Sequence, residues 1–155
     1  FLNVKANNVK TLDQIPFLPI EFFKQQGVVC KSNNIEAIFT SSGTSGLQSK
    51  HIVNDLDIYE KSFTSGFEYF YGNIQDYTIL ALLPSYIERS GSSLIYMCDK
   101  LIKHSKKKES GFYLDEHKQL NSLLLELENQ NKKTLLFNLA FYSTYKRNII
   151  KKKDF

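Results

Sequence analysis

The run Thr78-Ile79-Leu80-Ala81-Leu82-Leu83, closed by Pro84, narrows the fold more than any other stretch of the chain. Five consecutive apolar side chains leave no polar face for solvent, so the run reads as a strand covered on both sides, the pattern of a parallel sheet with helices above and below. Its neighbours agree. Before it, Leu56, Tyr59, Phe63, Phe67 and Phe70 recur at spacings of three and four. That period predicts an amphipathic helix, started by Asn54 as N-cap with Asp57 three residues on and stopped at Tyr71-Gly72-Asn73. After it, a polar turn from Ser85 to Gly91 leads to a helix over Ser92 to Lys103, carried by Leu94, Met97, Cys98, Leu101 and Ile102. Lys103 to Ser110 reads as a solvated linker. Asp115 can cap a further helix bearing Leu120, Leu123, Leu124 and Leu127, and Thr134 to Phe141 reads as a buried strand.

Upstream, each proline of Ile15-Pro16-Phe17-Leu18-Pro19-Ile20 biases the residue before it away from helix, and a short helix over Glu21 to Gln26 follows, stopped at Gly27. Ile35 to Thr40 reads as a strand that ends in a Ser/Thr/Gly cluster. The order strand, helix, strand, helix, helix, strand predicts an α/β fold with a largely parallel sheet and flanking helices. Three stretches are expected: an N-terminal segment over 1–34, an α/β part-domain over 35–141, whose loops are taken up below as a nucleotide site, and a basic tail over 142–155. A chain of 155 residues is about one domain. With 42% hydrophobic and 23% charged residues, disordered and fibrous classes are excluded.

The net charge of +4 partly reflects Lys146, Arg147 and Lys151 to Lys153 at the end of the chain, so it does not demand a nucleic-acid partner. Cys30 and Cys98 are too few for a disulfide framework and lack the spacing of a structural zinc site. No apolar run reaches the ~18 residues that span a bilayer, and no leader pattern opens the chain, so a cytoplasmic protein without a transmembrane segment is expected. A start at Phe1 and a lysine-rich end lead to the expectation of a fragment.

In open parallel sheets, ligands bind beyond the carboxyl ends of the strands. This selects two segments, Thr40 to Lys50 and Pro84 to Ser93. The first gathers the hydroxyls of Thr40, Ser41, Ser42, Thr44 and Ser45 around Gly43 and Gly46 and ends on Lys50. Glycines let backbone N–H groups approach an anion, hydroxyls donate to phosphate oxygens and a lysine adds a point charge. A Ser/Gly stretch is more commonly a plain polar turn, but this density of donors directly after an apolar run favours phosphate binding. The Walker spacing is absent.

The stretch Ser41-Ser42-Gly43-Thr44-Ser45-Gly46 followed by Lys50 is similar to the signature loop of the adenylate-forming enzymes. More narrowly, Ile15-Pro16-Phe17-Leu18-Pro19-Ile20-Glu21-Phe22-Phe23-Lys24 and Leu82-Leu83-Pro84-Ser85-Tyr86-Ile87-Glu88-Arg89-Ser90-Gly91-Ser92-Ser93 resemble segments of the LuxE-type acyl-protein synthetases. The resemblance extends from Ile15 to about Leu120. It implies the N-terminal portion of an adenylate-forming-enzyme-like domain. It also implies activation of a long-chain fatty acid by ATP with Mg2+, release of pyrophosphate, and passage of the acyl group through an enzyme cysteine toward an acyl-reductase or acyl-carrier partner. Ser41, Ser42, Thr44, Ser45 and Lys50 would contact the phosphates, with Gly43 and Gly46 giving backbone access. Lys50, Glu88 and Arg89 are the catalytic candidates. The chain departs from the family's loop at Gly46-Leu47-Gln48-Ser49-Lys50, which is one residue longer and lacks the usual proline. The family's acyl-accepting cysteine lies in later segments that have no counterpart here, so neither Cys30 nor Cys98 inherits that role.

Plainer roles compete at several positions. Glu88 and Arg89 can form an ordinary surface ion pair. His51 is a loop histidine without a recognisable carboxylate partner, and His104 and His117 face solvent. Both cysteines are core or near-core thiols. The stripe Tyr59, Phe63, Phe67 and Phe70 is a packing face before it is a wall for an acyl chain. Three functions stay open: an acyl-activating enzyme, a truncated inactive remnant or nucleotide-binding module, and a serine acyltransferase. The last lacks a Gly-x-Ser-x-Gly elbow.

Overall fold

The computed structural model describes residues 6–29, 34–41, 47–83, 91–114 and 116–138. The chain divides into two compact units, Phe1–Asn54 and Asp55–Phe155.

In the first unit, single 3₁₀ turns at Ala6–Asn8 and Leu12–Gln14 precede a short helix α1 (Phe22–Gln25). The strand expected over Ile35 to Thr40 forms as β1 (Ala37–Thr40), but not in a parallel sheet. It pairs antiparallel with an unforeseen strand, β2 (Lys50–Val53), in the register Ala37↔Val53, Ile38↔Ile52, Phe39↔His51 and Thr40↔Lys50. The glycine-rich stretch therefore belongs to a hairpin connection, and Lys50 and His51 are strand residues rather than loop residues. Phe39 is the buried anchor of β1.

The second unit is a three-layer α/β arrangement. β3 (Thr78–Leu82) lies at the centre of a sheet ordered β4-β3-β5, where β4 is Gly111–Phe112 and β5 is Thr134–Asn138. Both pairings of β3 are parallel, so the expected α/β class with a parallel sheet holds. Ile79, Leu80 and Ala81 have no exposed surface. Alternation sends Ile79 and Ala81 to one face, with Phe67 of α2 (Leu56–Tyr71) and Leu101 and Cys98 of α3 (Ser93–Ser105). Leu80 points to the other, against Leu120 and Leu127 of α4 (His117–Asn129) and Tyr113. A central strand buried on both faces is what its unbroken apolar run requires.

Local chemistry explains several departures from expectation. Asp55, not Asn54, caps α2: its carboxylate accepts from the N–H groups of Asp57 and Ile58 at 3.0 and 3.4 Å. Two cap-competent residues stand side by side, and the carboxylate adds a favourable charge at the positive end of the helix. The stop is as expected, because Gly72 takes φ +86°, a left-handed value that side chains resist. Phe70 leaves the predicted packing face and is 77% exposed, since Phe67 and the half-buried Phe63 already fill the contact with the sheet. Ser92 caps α3, accepting from the Ile95 N–H at 3.4 Å. The cap assigned to Asp115, and the end of the strand beyond Asn138, lie outside the described residues.

The expected solvated linker between α3 and β4 is partly internal. Ser105 is buried, and its hydroxyl lies 2.9 Å from the Ile102 carbonyl and 2.8 Å from Ser110 Oγ. Ser110 Oγ in turn accepts from the Ile79 N–H at 2.9 Å, so two serines satisfy a backbone donor at the start of the buried strand. Removing that acceptor strands the donor, which costs about 1–3 kcal/mol. Ser110→Ala should therefore lower unfolding stability by about that amount, read as a lower urea midpoint with unchanged slope; Ser122→Ala, whose exposed hydroxyl bonds only within α4, should change it far less.

Candidate functional site

The hairpin of the first unit carries the better-defined candidate. Strand alternation puts Thr40, Lys50, Ile38 and Ile52 on one face and Phe39 and His51 on the other. Phe39 is buried, while His51 stacks on Phe23 of α1 with ring centroids 5.9 Å apart and planes 22° from parallel. His51 thus serves the packing of α1 against β2, and its ring and the Lys50 side chain leave the strand on opposite faces.

Beyond the last paired residues, the Ser41 N–H donates to the Ser49 carbonyl at 3.1 Å. The Ser49 N–H donates in return to Ser41 Oγ at 3.0 Å. Ser41 and Ser49 therefore occupy a hydrogen-bonded position of the ladder, and Thr40 and Lys50, one step along, a non-hydrogen-bonded one, where facing side chains come closest. The result is a hydroxyl and an ammonium facing each other across the two strands at the last pair of the hairpin. Lys50 is exposed and makes no ion pair with any described residue. Such a donor set fits a polyanion. Among the described residues, no group of three or more His, Cys, Asp or Glu side chains that could hold a metal ion occurs.

Of the residues expected at this site, the structure brings Ser41 and Lys50 to the same end of the hairpin. Ser42, Gly43, Thr44, Ser45 and Gly46 lie outside the described residues, as do Glu88 and Arg89 of the second segment and Cys30. Sequence reasoning missed the Thr40–Lys50 pairing and the role of Ser49. The signal available was faint: Ile52-Val53, a β-branched pair before Asn54-Asp55, marks the end of a strand.

In the second unit the strongest polar constellation joins α2 and α3. The Tyr96 hydroxyl donates to Glu60 Oε1, and Lys100 Nζ sits 2.8 Å from the same oxygen and 5.2 Å from the centre of the Tyr96 ring. The hydrogen bond from Lys100, then that from Tyr96, holds the Glu60 carboxyl below its ordinary value; burial, then the Glu60 hydrogen bond, raises the Tyr96 phenol. Nearby, the Tyr59 hydroxyl donates to the Ser93 carbonyl at 3.1 Å. The cluster fastens two helices over the sheet. Because the folded pKa of Glu60 is depressed, its contribution is fully present above the unfolded value near 4.5 and disappears as pH falls through the folded value. Wild type should lose thermal stability more steeply than Glu60→Gln as pH is lowered from about 5 to 3, read as melting temperature against pH.

Cys98 has no exposed surface, and burial pushes its thiol up to about 12. A neutral, enclosed thiol is a poor nucleophile, in keeping with its exclusion as an acyl acceptor. In a Cys30→Ala variant, no thiol should react with a small disulfide reagent at pH 8 until denaturant is added; prompt reaction of the native protein would contradict the burial.

Compared with known proteins, residues 3–145 match the family model described as acyl-protein synthetase, LuxE. No curated protein and no solved structure gives a significant match. Among the described residues, no helix is long and apolar enough to cross a membrane.

Proposed function

The chain belongs to the LuxE acyl-protein synthetase family, and on that footing we propose that it takes part in ATP-dependent activation of a fatty carboxylic acid to an acyl-adenylate, for transfer to a protein thiol. The family match over residues 3–145 carries this reading. The hairpin supports it, because it presents the cationic and hydroxyl donors that a triphosphate needs. When bound, ATP with Mg2+ supplies an α-phosphorus open to attack by the carboxylate and a pyrophosphate leaving group.

The chain's own part is electrostatic. Lys50 would neutralise charge on the departing phosphates, and Thr40 and Ser41, with Ser42, Thr44 and Ser45, would donate hydrogen bonds to their oxygens. Gly43 and Gly46 would let backbone N–H groups approach the anion. Glu88 and Arg89 are proposed to orient the carboxylic substrate, an arginine fork matching a carboxylate. An acyl-reductase or acyl-carrier protein would take the product onward.

The test is fatty-acid-dependent exchange of labelled pyrophosphate into ATP, across a panel of chain lengths. A charge-assisted contact is worth about 1.5–3 kcal/mol, so Lys50→Ala should slow exchange roughly ten- to a hundredfold while leaving the melting temperature nearly unchanged. Binding of ATP without exchange would favour a nucleotide-binding module instead, and ester hydrolysis without ATP would point to a different chemistry altogether.

A further inference from the structure

Among its described residues, the hairpin departs from the regular bonding pattern at Ser41 and Ser49, next to its last pair. In a regular antiparallel pair, the Ser49 N–H would donate to the Ser41 backbone carbonyl, closing a two-bond ring. Here the Ser41 N–H still reaches the Ser49 carbonyl at 3.1 Å, but the Ser49 N–H is taken by the Ser41 side chain at 3.0 Å. A side-chain oxygen has replaced a main-chain one. The Ser41 carbonyl is therefore not the acceptor of the Ser49 N–H, and the side-chain bond stands one residue after the Thr40–Lys50 pair. Without the hydroxyl, the Ser49 N–H has two alternatives: the Ser41 carbonyl, which would extend the ladder by one pair, or water. Either one changes how Ser41 and Ser49 are held together, immediately beside Thr40 and Lys50.

We propose that Ser41 is a positioning residue. Its oxygen clasps the Ser49 amide and so fixes the end of the ladder from which Thr40 and Lys50 present their donors to phosphate. This deepens the phosphate-binding role given above to the hairpin, and rests on it. Accepting from Ser49 uses the hydroxyl oxygen and not its hydrogen, so this role adds to the phosphate contact given to Ser41 above.

The experiment combines amide hydrogen exchange at Ser49, resolved by NMR, with MgATP affinity in the wild-type chain, Ser41→Ala and Ser41→Thr. Ser41→Ala should speed Ser49 exchange and weaken MgATP, each about tenfold, with the melting temperature nearly unchanged because the bond is exposed. Ser41→Thr keeps the oxygen and should restore both. Loss of affinity with Ser49 exchange unaltered would overturn the proposal in favour of direct contact. Faster exchange with affinity unaltered would overturn it by reducing the clasp to a fold feature. A wild-type chain that protects Ser49 but binds no MgATP would sink the phosphate reading beneath it, which is a separate result from either.

Discussion

Every N–H and C=O of a strand with no access to water must find a partner, and in this protein that requirement falls on β3. Its neighbours β4 and β5 meet it laterally, and Ser110 meets it at the Ile79 amide. Burial of both faces then demands helices above and below, which α2, α3 and α4 provide. The second unit is in this sense built outward from five residues. Its polar accessories, the Ser105–Ser110 pair and the Glu60–Tyr96–Lys100 cluster, sit where helices or loops must be held against that sheet.

The hairpin of the first unit obeys a weaker constraint with a more specific outcome. Only Phe39 among its eight strand residues is buried, so little apolar energy fixes the pairing. Register comes instead from alternation and from the two bonds between Ser41 and Ser49. That register sets Lys50 opposite Thr40. A slip of one residue would move the ammonium to the other face and dismantle the donor set.

Legibility from sequence followed the length and periodicity of each signal. Helices α2, α3 and α4 were plain because their apolar residues recur at helical spacing over two or more turns, and β3 was plain because its run is continuous. β2 was hidden: half of it is Lys50 and His51, both exposed, and its partner lies across a polar connection. β4 was hidden for a different reason. It is two residues long, begins with glycine, and exists only because Leu80 and Ala81, some thirty positions earlier, need partners. The cap of α2 shifted by one because Asn54 and Asp55 can each do the work. At the candidate site, the residue types were legible, but the pairing that sets two of them face to face was not, since it depends on a non-local register that composition does not encode.

The central claim is that the mouth of the β1–β2 hairpin holds a nucleotide's phosphates. Titrating the isotope-labelled chain with MgATP and following backbone amide shifts tests it most directly. The account predicts saturable shifts largest at Thr40, Ser41, Ser49 and Lys50 and reversed by excess tripolyphosphate. Saturable shifts that spare these residues, or none at all, would contradict it.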